Sequence, residues 1–492
     1  MSAIDPGDSD PIARQAIANA DRIVVRWPAL GASVTFEELD RRVDARAAAL
    51  RDHLGDDTGD QCPRIGVCVA DRAAFVATLG AIWRVGASAV LLDPDAPDRT
   101  VQQCLDVAGP AAVVIESPAE RTLDARLIDR RALRGNGDAG GSTVVPADWP
   151  ADREAIVAFT SGTTGRPRGV RLAVRTLAAS VRGWADRLGS AAECWLDPLP
   201  VHHMGGCMPI VRAIGLGKRV VVERAPDPER IGALLAAQSL TGVSLVPTQL
   251  SALLDTEWSP PETLRAVLVG GAPVPTALRR RALACGVPLW PTYGTTETAS
   301  GIAIATPEDL RDRIDTVGRP LDGVSVSIHD PETGDAVAPG VTGEIVVDGP
   351  SVTPGYVSES GEWSGAGLRT GDLGTIDEGF LFVAGRLDER IVSGGETVDP
   401  HAVERVLAAH PSVERVAVVG VPDDRWGERV VAAVVTDDAS DALAPRLEEY
   451  AGERLPVAAR PKTVAVVDAL PPTASGTIDR SALGDLIDAE DP

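Results

Sequence analysis

The sequence predicts an α/β protein with a large amino-terminal part and a small α+β domain at its carboxy terminus. Apolar runs at 65–70 and 88–92 predict buried strands, and a helix at 73–85 separates them. From 317 to 383 the pattern changes to short strands with frequent glycine and proline, which indicates a small β-subdomain. A chain of 492 residues is long enough for more than one domain.

Local signals predict the remaining elements in chain order. Thr35 and Glu38 form a capping box that begins a helix lasting to about Leu50. Residues 134–152, rich in glycine, proline and aspartate, predict a surface connection. Further strands are predicted at 219–222, 242–246 and 266–269. A last unit combines helices at 401–409 and 444–453 with strands at 413–419, 430–435 and 463–467.

The charge balance excludes several classes of partner. The chain carries 47 basic and 71 acidic residues, a net charge of −24, and such a surface repels nucleic acid and anionic membranes. Only Lys218 and Lys462 are lysine, which indicates a halophilic protein adapted to salt; a GC-rich genome is the alternative explanation. Stability that rises with salt concentration would support adaptation to salt.

Apolar runs and cysteine spacing indicate location and redox state. The sequence has neither an apolar run of eighteen residues nor a secretory amino terminus, so we expect a cytoplasmic protein without membrane insertion. Its six cysteines form no CxxC pair, and we expect buried thiols in a reducing compartment. The oligomeric state stays open, with a homo-oligomer among the alternatives.

The segment 159–170, FTSGTTGRPRGV, has the composition of a phosphate-binding loop. Its glycines let backbone N–H groups approach oxygens, its hydroxyls donate hydrogen bonds and its two arginines neutralise charge. A mobile surface loop is the alternative, but strand-like runs precede and follow the segment at 155–159 and 169–172. Because no Gly-Lys-Ser/Thr ends it, the loop is not a Walker A motif.

Three further segments carry chemistry, although each is weak alone. In 291–298, PTYGTTET, a ring, hydroxyls and one carboxylate on a glycine turn can stack a base, bind phosphate and hold Mg²⁺. In 369–373, RTGDL, an aspartate on a tight turn can accept two ribose hydroxyls. The third segment is 385–390, GRLDER. The four segments in this order are highly specific.

Together with 198–206, PLPVHHMGG, and 270–273, GGAP, these segments resemble the adenylate-forming superfamily of acyl-CoA synthetases, luciferases and peptide-synthetase adenylation domains. The resemblance covers nearly the whole chain. It implies an AMP-binding amino-terminal domain at 1–386, a mobile carboxy-terminal domain at 389–492 and a hinge near Asp388. It also implies an AMP-forming acid–thiol ligase that uses ATP, Mg²⁺ and coenzyme A: a carboxylate attacks the α-phosphate, and a thiol then attacks the acyl-adenylate.

The resemblance also implies site residues. Catalytic roles fall to Thr164, Arg168, His203 and Glu297, with Glu297 as the Mg²⁺ ligand. Arg168 stands where the family usually has lysine, which keeps the charge and changes its geometry. His203 resembles an acyl-pocket histidine, and a packed core histidine is the alternative. Nucleotide contacts are implied at Ser161, Gly162, Thr163, Gly165, Gly271, Ala272, Tyr293, Gly294, Thr296, Asp372, Arg386, Gly394 and Gly395.

One departure from the family pattern concerns Thr477. The family places there the lysine that bridges the attacking carboxylate and the α-phosphate, and threonine supplies no positive charge. Losing one such donor costs about 3–4 kcal/mol, or about 10²–10³ in rate. Either Arg480 or Lys462 compensates, or adenylation is slow, or the protein is a silent adenylate-binding relative.

The sequence defines the carboxylic acid substrate less well than it defines the reaction. Segments 198–206 and 391–396 look most like o-succinylbenzoate–CoA ligases of menaquinone biosynthesis, whose substrate carries a second carboxylate and a ketone. His203 and Ser300 are the candidate polar donors for these groups. Aryl or medium-chain acyl-CoA ligases share the motifs and are the alternative, as is an enzyme that loads a separate carrier protein.

Overall fold

The computed structural model describes the chain except for residues 1, 3, 29–30, 56–61, 135–143, 162–165, 224–226, 358–366, 424, 439, 441, 472–477, 481, 485–486 and 488–492. Its residues fall into two units. The amino-terminal unit comprises Met1–Ser325 and Val347–Leu368, and the carboxy-terminal unit comprises Val326–Val346 and Arg369–Pro492. The domain boundary at Asp388 stays a prediction.

The elements up to the ninth strand follow the predicted alternation. In chain order they are α1 (Pro11–Asn19), β1 (Ile23–Trp27), β2 (Ala32–Thr35), α2 (Phe36–Leu54), β3 (Arg64–Cys68), α3 (Arg72–Arg84), β4 (Ser88–Leu91), α4 (Asp98–Ala108), β5 (Ala112–Ile115), β6 (Leu127–Asp129), β7 (Glu154–Ser161), β8 (Pro167–Ala173), α5 (Val174–Leu188) and β9 (Cys194–Asp197). The predicted cap at Thr35 is confirmed, since its hydroxyl accepts a hydrogen bond from the Glu38 N–H at 3.2 Å.

The alternation continues through the middle of the chain. Its elements are α6 (Met204–Leu216), β10 (Arg219–Val222), α7 (Pro228–Ala237), β11 (Gly242–Leu245), α8 (Pro247–Leu254), β12 (Ala266–Val269), α9 (Thr276–Ala284), β13 (Leu289–Tyr293), β14 (Ala303–Ile304), α10 (Asp309–Asp312) and β15 (Arg319–Pro320). The predicted strands at 219–222 and 266–269 are confirmed residue for residue.

The last third begins with short strands and ends in an α+β arrangement, as predicted. Its elements are β16 (Ser325–His329), β17 (Gly343–Asp348), β18 (Gly355–Tyr356), β19 (Leu368–Asp377), β20 (Phe380–Arg386), β21 (Ile391–Ser393), β22 (Glu396–Val398), α11 (Pro400–Leu407), β23 (Arg415–Asp423), β24 (Gly427–Val435), α12 (Leu443–Gly452) and β25 (Thr463–Val466).

Two sheets organise the amino-terminal unit. A nine-stranded sheet has the order β15-β14-β13-β12-β11-β9-β10-β1-β2, with parallel pairing from β13 to β1. A seven-stranded sheet has the order β18-β8-β7-β4-β3-β5-β6. It is parallel from β7 to β6, whereas β7, β8 and β18 pair antiparallel. Parallel strands joined by helices bury both faces of a sheet, which explains their continuous apolar runs.

Two smaller sheets organise the carboxy-terminal unit. The first has the order β16-β17-β19-β20, and the second has the order β22-β21-β24-β23 with β25 beside β24. The apolar face of α11 contributes buried Val403 and Leu407 to the core of the second sheet. Of the helices that the structure describes, none joins the length to the apolar character that crossing a bilayer requires.

Two expectations need correction. The connection at 134–152 is not entirely a surface segment, because Trp149 is fully buried, stacks edge-on against Trp83 and donates its indole N–H to the Ile4 carbonyl. A large ring with a satisfied N–H is a core residue even in a stretch of turn-forming sequence. The cysteines are not all buried, since Cys62 and Cys285 are exposed.

Candidate active site

Four neighbouring parallel strands end together at one edge of the nine-stranded sheet. Leu245 of β11 pairs with Val269 of β12, Val269 pairs with Pro291 of β13, and β9 lies on the other side of β11. The segments that follow these strands therefore leave the sheet at the same edge. Crevices outside the carboxyl ends of parallel strands are where α/β proteins bind ligands.

Several predicted nucleotide contacts lie in these segments. Gly271 and Ala272 follow β12, while Tyr293 ends β13 and leads into Gly294. The two turns pack closely, because a Cβ on Gly270 would lie 2.7 Å from Thr292 Cγ2. Gly271 has a φ of +78°, which favours glycine, and both Gly271 and Gly294 are exposed at the sheet edge. The sequence-predicted residues of β12 and β13 are thus brought together.

The turn after β13 holds Glu297 in a fixed frame. Thr296–Thr298 forms a single 3₁₀ turn, and the Thr295 N–H donates to Thr298 Oγ1 at 3.1 Å. The next two residues, Ala299 and Ser300, both have positive φ, of 46° and 69°. Non-glycine residues adopt this conformation at a cost, so the surroundings must hold it. The buried Ser180 hydroxyl does so by donating to the Ala299 carbonyl at 2.9 Å.

The predicted phosphate loop lies between two strands that pair antiparallel, β7 and β8. β7 and β8 pair from Glu154↔Ala173 to Ser161↔Pro167, so Ser161 ends β7 and Arg168 is the second residue of β8. The predicted contacts Gly162, Thr163, Thr164 and Gly165 lie outside the described residues. Arg168 is exposed at this end of the strand pair. The strand-like runs on either side of the loop were correctly predicted.

Tyr356 joins Arg168 to Glu297, and the sequence did not reveal it. Its hydroxyl donates to Glu297 Oε1 at 3.0 Å, and the Arg168 guanidinium lies 3.8 Å from its ring centroid. Tyr356 itself is 4% exposed. The predicted phosphate contact Arg168 and the predicted Mg²⁺ ligand Glu297 therefore both contact the same aromatic side chain. A Gly-Tyr-Val sequence carries no signal of this role.

The carboxylate of Glu297 fits the predicted Mg²⁺. Mg²⁺ in nucleotide sites is held by one or two carboxylates, with phosphates and waters completing its shell. Glu297 is half-buried, and its Oε1 is fixed by Tyr356. Within the described ranges, no cluster of three or more His, Cys, Asp or Glu side chains is arranged to hold a metal ion. A metal that relies on substrate phosphates for most of its ligands suits such a site.

His203 lies after β9, at the same sheet edge, and caps α6. Burial lowers the pKa of its imidazole, which is therefore neutral near pH 7. Its Nε2 is buried and, among the residues described, has no hydrogen-bond partner. The neighbouring His202 ring lies 4.3 Å away, and burial together with His203 lowers the pKa of His202 to about 4. An unpartnered buried nitrogen favours a ligand contact over a purely structural role.

The predicted ribose contacts pair with each other in the carboxy-terminal unit. Asp372 and Arg386 are opposite residues of β19 and β20, and Arg386 Nη1 lies 2.9 Å from Asp372 Oδ1. Arg386 also binds Asp388, with its Nε 2.8 Å from Asp388 Oδ1. The hydrogen bond to Asp388 raises the pKa of Arg386 above its usual range, so it stays charged. Arg386 thus connects the predicted ribose contact to the predicted hinge.

Gly394 and Gly395 form the two-residue turn between β21 and β22. Both have positive φ, of 62° and 83°, and Ser393 pairs with Glu396 across the turn. Such turns require glycine for backbone reasons alone. The turn is exposed, and the role of these glycines in nucleotide binding stays a prediction.

The two cations suggested to replace the family lysine have structural partners. Arg480 Nη1 lies 2.6 Å from both Glu404 Oε1 and the Val418 carbonyl, and its Nε lies 3.4 Å from Glu389 Oε1. Lys462 Nζ donates to two backbone carbonyls and lies 4.9 Å from the Trp426 ring centroid. Thr477 itself lies outside the described residues. Neither cation is available without giving up these contacts.

Comparisons with known proteins agree with the predicted fold and reaction. The chain is 31% identical to the 2-succinylbenzoate–CoA ligase of Bacillus cereus, over 92% of this chain and 94% of that protein. The o-succinylbenzoate–CoA synthetase (MenE) of Bacillus subtilis, solved with the acyl-adenylate OSB-AMP, has a TM-score of 0.87 and 29% identity, covering 97% of this chain and 98% of that chain. ATP-bound MatB of Rhodopseudomonas palustris has a TM-score of 0.86 and 28% identity, covering 99% of each chain.

These similarities confirm the predicted adenylate-forming fold and an AMP-forming acid–thiol ligase. Two family models match successive parts of the chain. The AMP-binding enzyme model matches residues 12–357, and the model of the AMP-binding enzyme C-terminal domain matches residues 402–477. The chain therefore belongs to the AMP-binding enzyme family.

Proposed function

We propose that this enzyme converts o-succinylbenzoate to o-succinylbenzoyl-CoA in menaquinone biosynthesis, using ATP, Mg²⁺ and coenzyme A. The acid carboxylate attacks the α-phosphate of ATP and releases pyrophosphate, and the thiol of coenzyme A then displaces AMP from the acyl carbon. A carboxylate is a poor electrophile, whereas AMP is a good leaving group. Relatives of the same length carry this activity in their names.

The observation that carries the proposal is the arrangement of Arg168 and Glu297 on Tyr356, beside the carboxyl ends of β12 and β13. Charge builds on the phosphates during adenylation and needs preorganised donors. Arg168 supplies a fixed positive charge there, and Glu297 would hold the Mg²⁺, which neutralises phosphate charge when bound. Exposed backbone at Gly271 and Gly294 lets a flat base approach the sheet edge.

His203 supports a polar acid. A neutral imidazole with a buried, unpartnered Nε2 gains a hydrogen bond when a polar group of the substrate enters. o-Succinylbenzoate offers a ketone and a second carboxylate for this purpose, whereas octanoate has no polar group besides the carboxylate that reacts. Ser300, which lies in the same turn as Glu297 and has a positive φ, is the second donor we propose.

Incubation with ATP, Mg²⁺ and single acids tests the proposal directly. We expect o-succinylbenzoate to give an acyl-adenylate, and an acyl-CoA once coenzyme A is added, at rates above those with benzoate and octanoate. Preference for benzoate or octanoate would favour the aryl or medium-chain alternative. An adenylate that coenzyme A does not consume would favour loading of a separate carrier protein, and no adenylate with any acid would favour the silent relative.

A further inference from the structure

We propose that Tyr356 is a positioning residue that sets the distance between the metal-binding carboxylate of Glu297 and the phosphate-binding cation Arg168. The proposal rests on the proposed use of ATP and Mg²⁺. Glu297 follows β13 of one sheet, and Arg168 lies in β8 of the other. Ser180 of α5 holds the backbone of the turn after Glu297, but that contact reaches neither functional side chain.

The backbone of the segment 353–357 supplies the tie. β18 pairs with β8 through Tyr356↔Val170, and the Val357 N–H donates to the Gly169 carbonyl at 2.8 Å. On the other side, the Thr353 N–H donates to the Glu297 carbonyl at 2.7 Å. The segment is thus hydrogen-bonded to the strand of Arg168 and to the turn of Glu297.

The side chain of Tyr356 completes the connection at the two functional groups. Its hydroxyl donates to Glu297 Oε1 at 3.0 Å, and we assign the other oxygen, Oε2, to the metal ion. Its ring lies under the Arg168 guanidinium, which holds the planar cation in one orientation. A tyrosine that served the core alone would need neither contact. The hydroxyl therefore acts on the metal, and the ring acts on the phosphate cation.

Because the hydroxyl and the ring of Tyr356 contact different groups, two substitutions of this residue should have different effects. Tyr356→Phe removes the hydroxyl and keeps the ring, so the Mg²⁺-dependent part of ATP binding should weaken while the Mg²⁺-free part remains. Removing a partner that orients a metal ligand typically costs about 10–100-fold in metal affinity. Tyr356→Leu removes the ring as well, so ATP binding without Mg²⁺ should also weaken, by about threefold.

Calorimetric titration with ATP in Mg²⁺ and in EDTA measures both parts without turnover. We expect Tyr356→Phe to reduce the ratio of the two affinities by about tenfold, with the EDTA affinity within about twofold of wild type. Tyr450→Phe is the matched control, because Tyr450 also carries an arginine over its ring, Arg454 at 3.7 Å, but lies in the carboxy-terminal unit. It should change neither affinity.

Other outcomes contradict the proposal in distinguishable ways. An unchanged affinity ratio in Tyr356→Phe would overturn the positioning role. So would an equal loss of affinity in both buffers, which indicates a general structural role. A wild-type protein that binds ATP in neither buffer would overturn the proposed function, and this role with it.

Discussion

Arg168 and Arg480 are both candidate cations of the ligase, but their surroundings differ. Arg168 is exposed at the end of the β7–β8 strand pair and stacks on the face of Tyr356. Arg480 has a side chain that is only 18% exposed, and it contacts two carboxylates and a backbone carbonyl in the carboxy-terminal unit. A cation–π contact is made through the face of a guanidinium, whereas contacts with carboxylates and a carbonyl are made through its N–H donors. We infer that Arg168 serves the phosphates and Arg480 serves stability.

The contacts of Arg480 form part of a four-residue ionic cluster. His401 Nε2 lies 2.8 Å from Glu389 Oε2, and its Nδ1 lies 2.9 Å from Glu404 Oε2. Arg480 binds the remaining oxygens of both glutamates. The cluster ties the residue after the predicted hinge to α11, so a break in it should affect folding more than chemistry.

Arg480→Ala should have the largest effect. It leaves Glu404 and Glu389 with less compensation in a partly buried site, and we expect a loss near the lower end of the about 3–5 kcal/mol that breaking a fully buried pair costs. Denaturant unfolding of the full chain measures this free energy. Arg446→Ala is the matched control, since its pair with Asp438 is more exposed and should cost under about 1 kcal/mol. Unchanged stability together with lost pyrophosphate release would instead make Arg480 the replacement for the family lysine.

Thr477→Lys should raise the rate of adenylation. If Arg480 and Lys462 keep their present partners, neither of them can take the place of the family lysine. Restoring such a donor should speed pyrophosphate release by about 10²-fold, within the range for a single electrostatic group. Thr473→Lys is the control for adding a lysine to the same segment, and it should leave the rate unchanged. No gain from Thr477→Lys would mean that another cation already fills the role.

The ionic cluster also predicts a pH dependence. Burial alone would lower the pKa of His401, but hydrogen bonds to Glu389 and Glu404 raise it to about 9 from a usual value of 6.5. Its stabilising contribution is therefore complete below pH 6.5 and is lost as the pH rises through 9. We expect the loss to be on the order of 1–3 kcal/mol, measured as the free energy of unfolding across this range.

His401→Gln should flatten this pH dependence. His410→Gln is the control, since His410 lies in the same unit and outside the cluster, with its Nδ1 accepting a hydrogen bond from the Ser412 N–H. A wild-type profile that stays level from pH 6.5 to 9 would contradict the raised pKa. Equal profiles for His401→Gln and wild type would assign the slope to other groups.

The surroundings of Arg168 and the ionic cluster of Arg480 also differ in what the sequence could predict. Strands such as 219–222 and the strands on either side of 162–165 follow from local apolar patterns, and Glu297 stands out within a dense motif. Tyr356 was missed because its role depends on Glu297, 59 residues away, and on pairing with Val170. The ionic cluster was missed for the same reason. The i,i+3 spacing of His401 and Glu404 is visible on a helix, but Arg480 is 79 residues beyond His401.

Arg168→Lys should have the smallest effect and separates charge from shape. The substitution keeps the positive charge, which is the main requirement for binding phosphate, but loses the planar group that stacks on Tyr356. We expect ATP affinity to fall by about two- to fivefold, the range of a modest cation–π contact. Arg171→Lys is the control on the same strand, since Arg171 pairs with Glu154 instead of a ring. In a Tyr356→Leu background Arg168→Lys should cost nothing more, because the stack is already gone. If Arg168→Lys lowers ATP affinity in that background as much as it does in wild type, the substitution acts through phosphate binding alone and not through the stack.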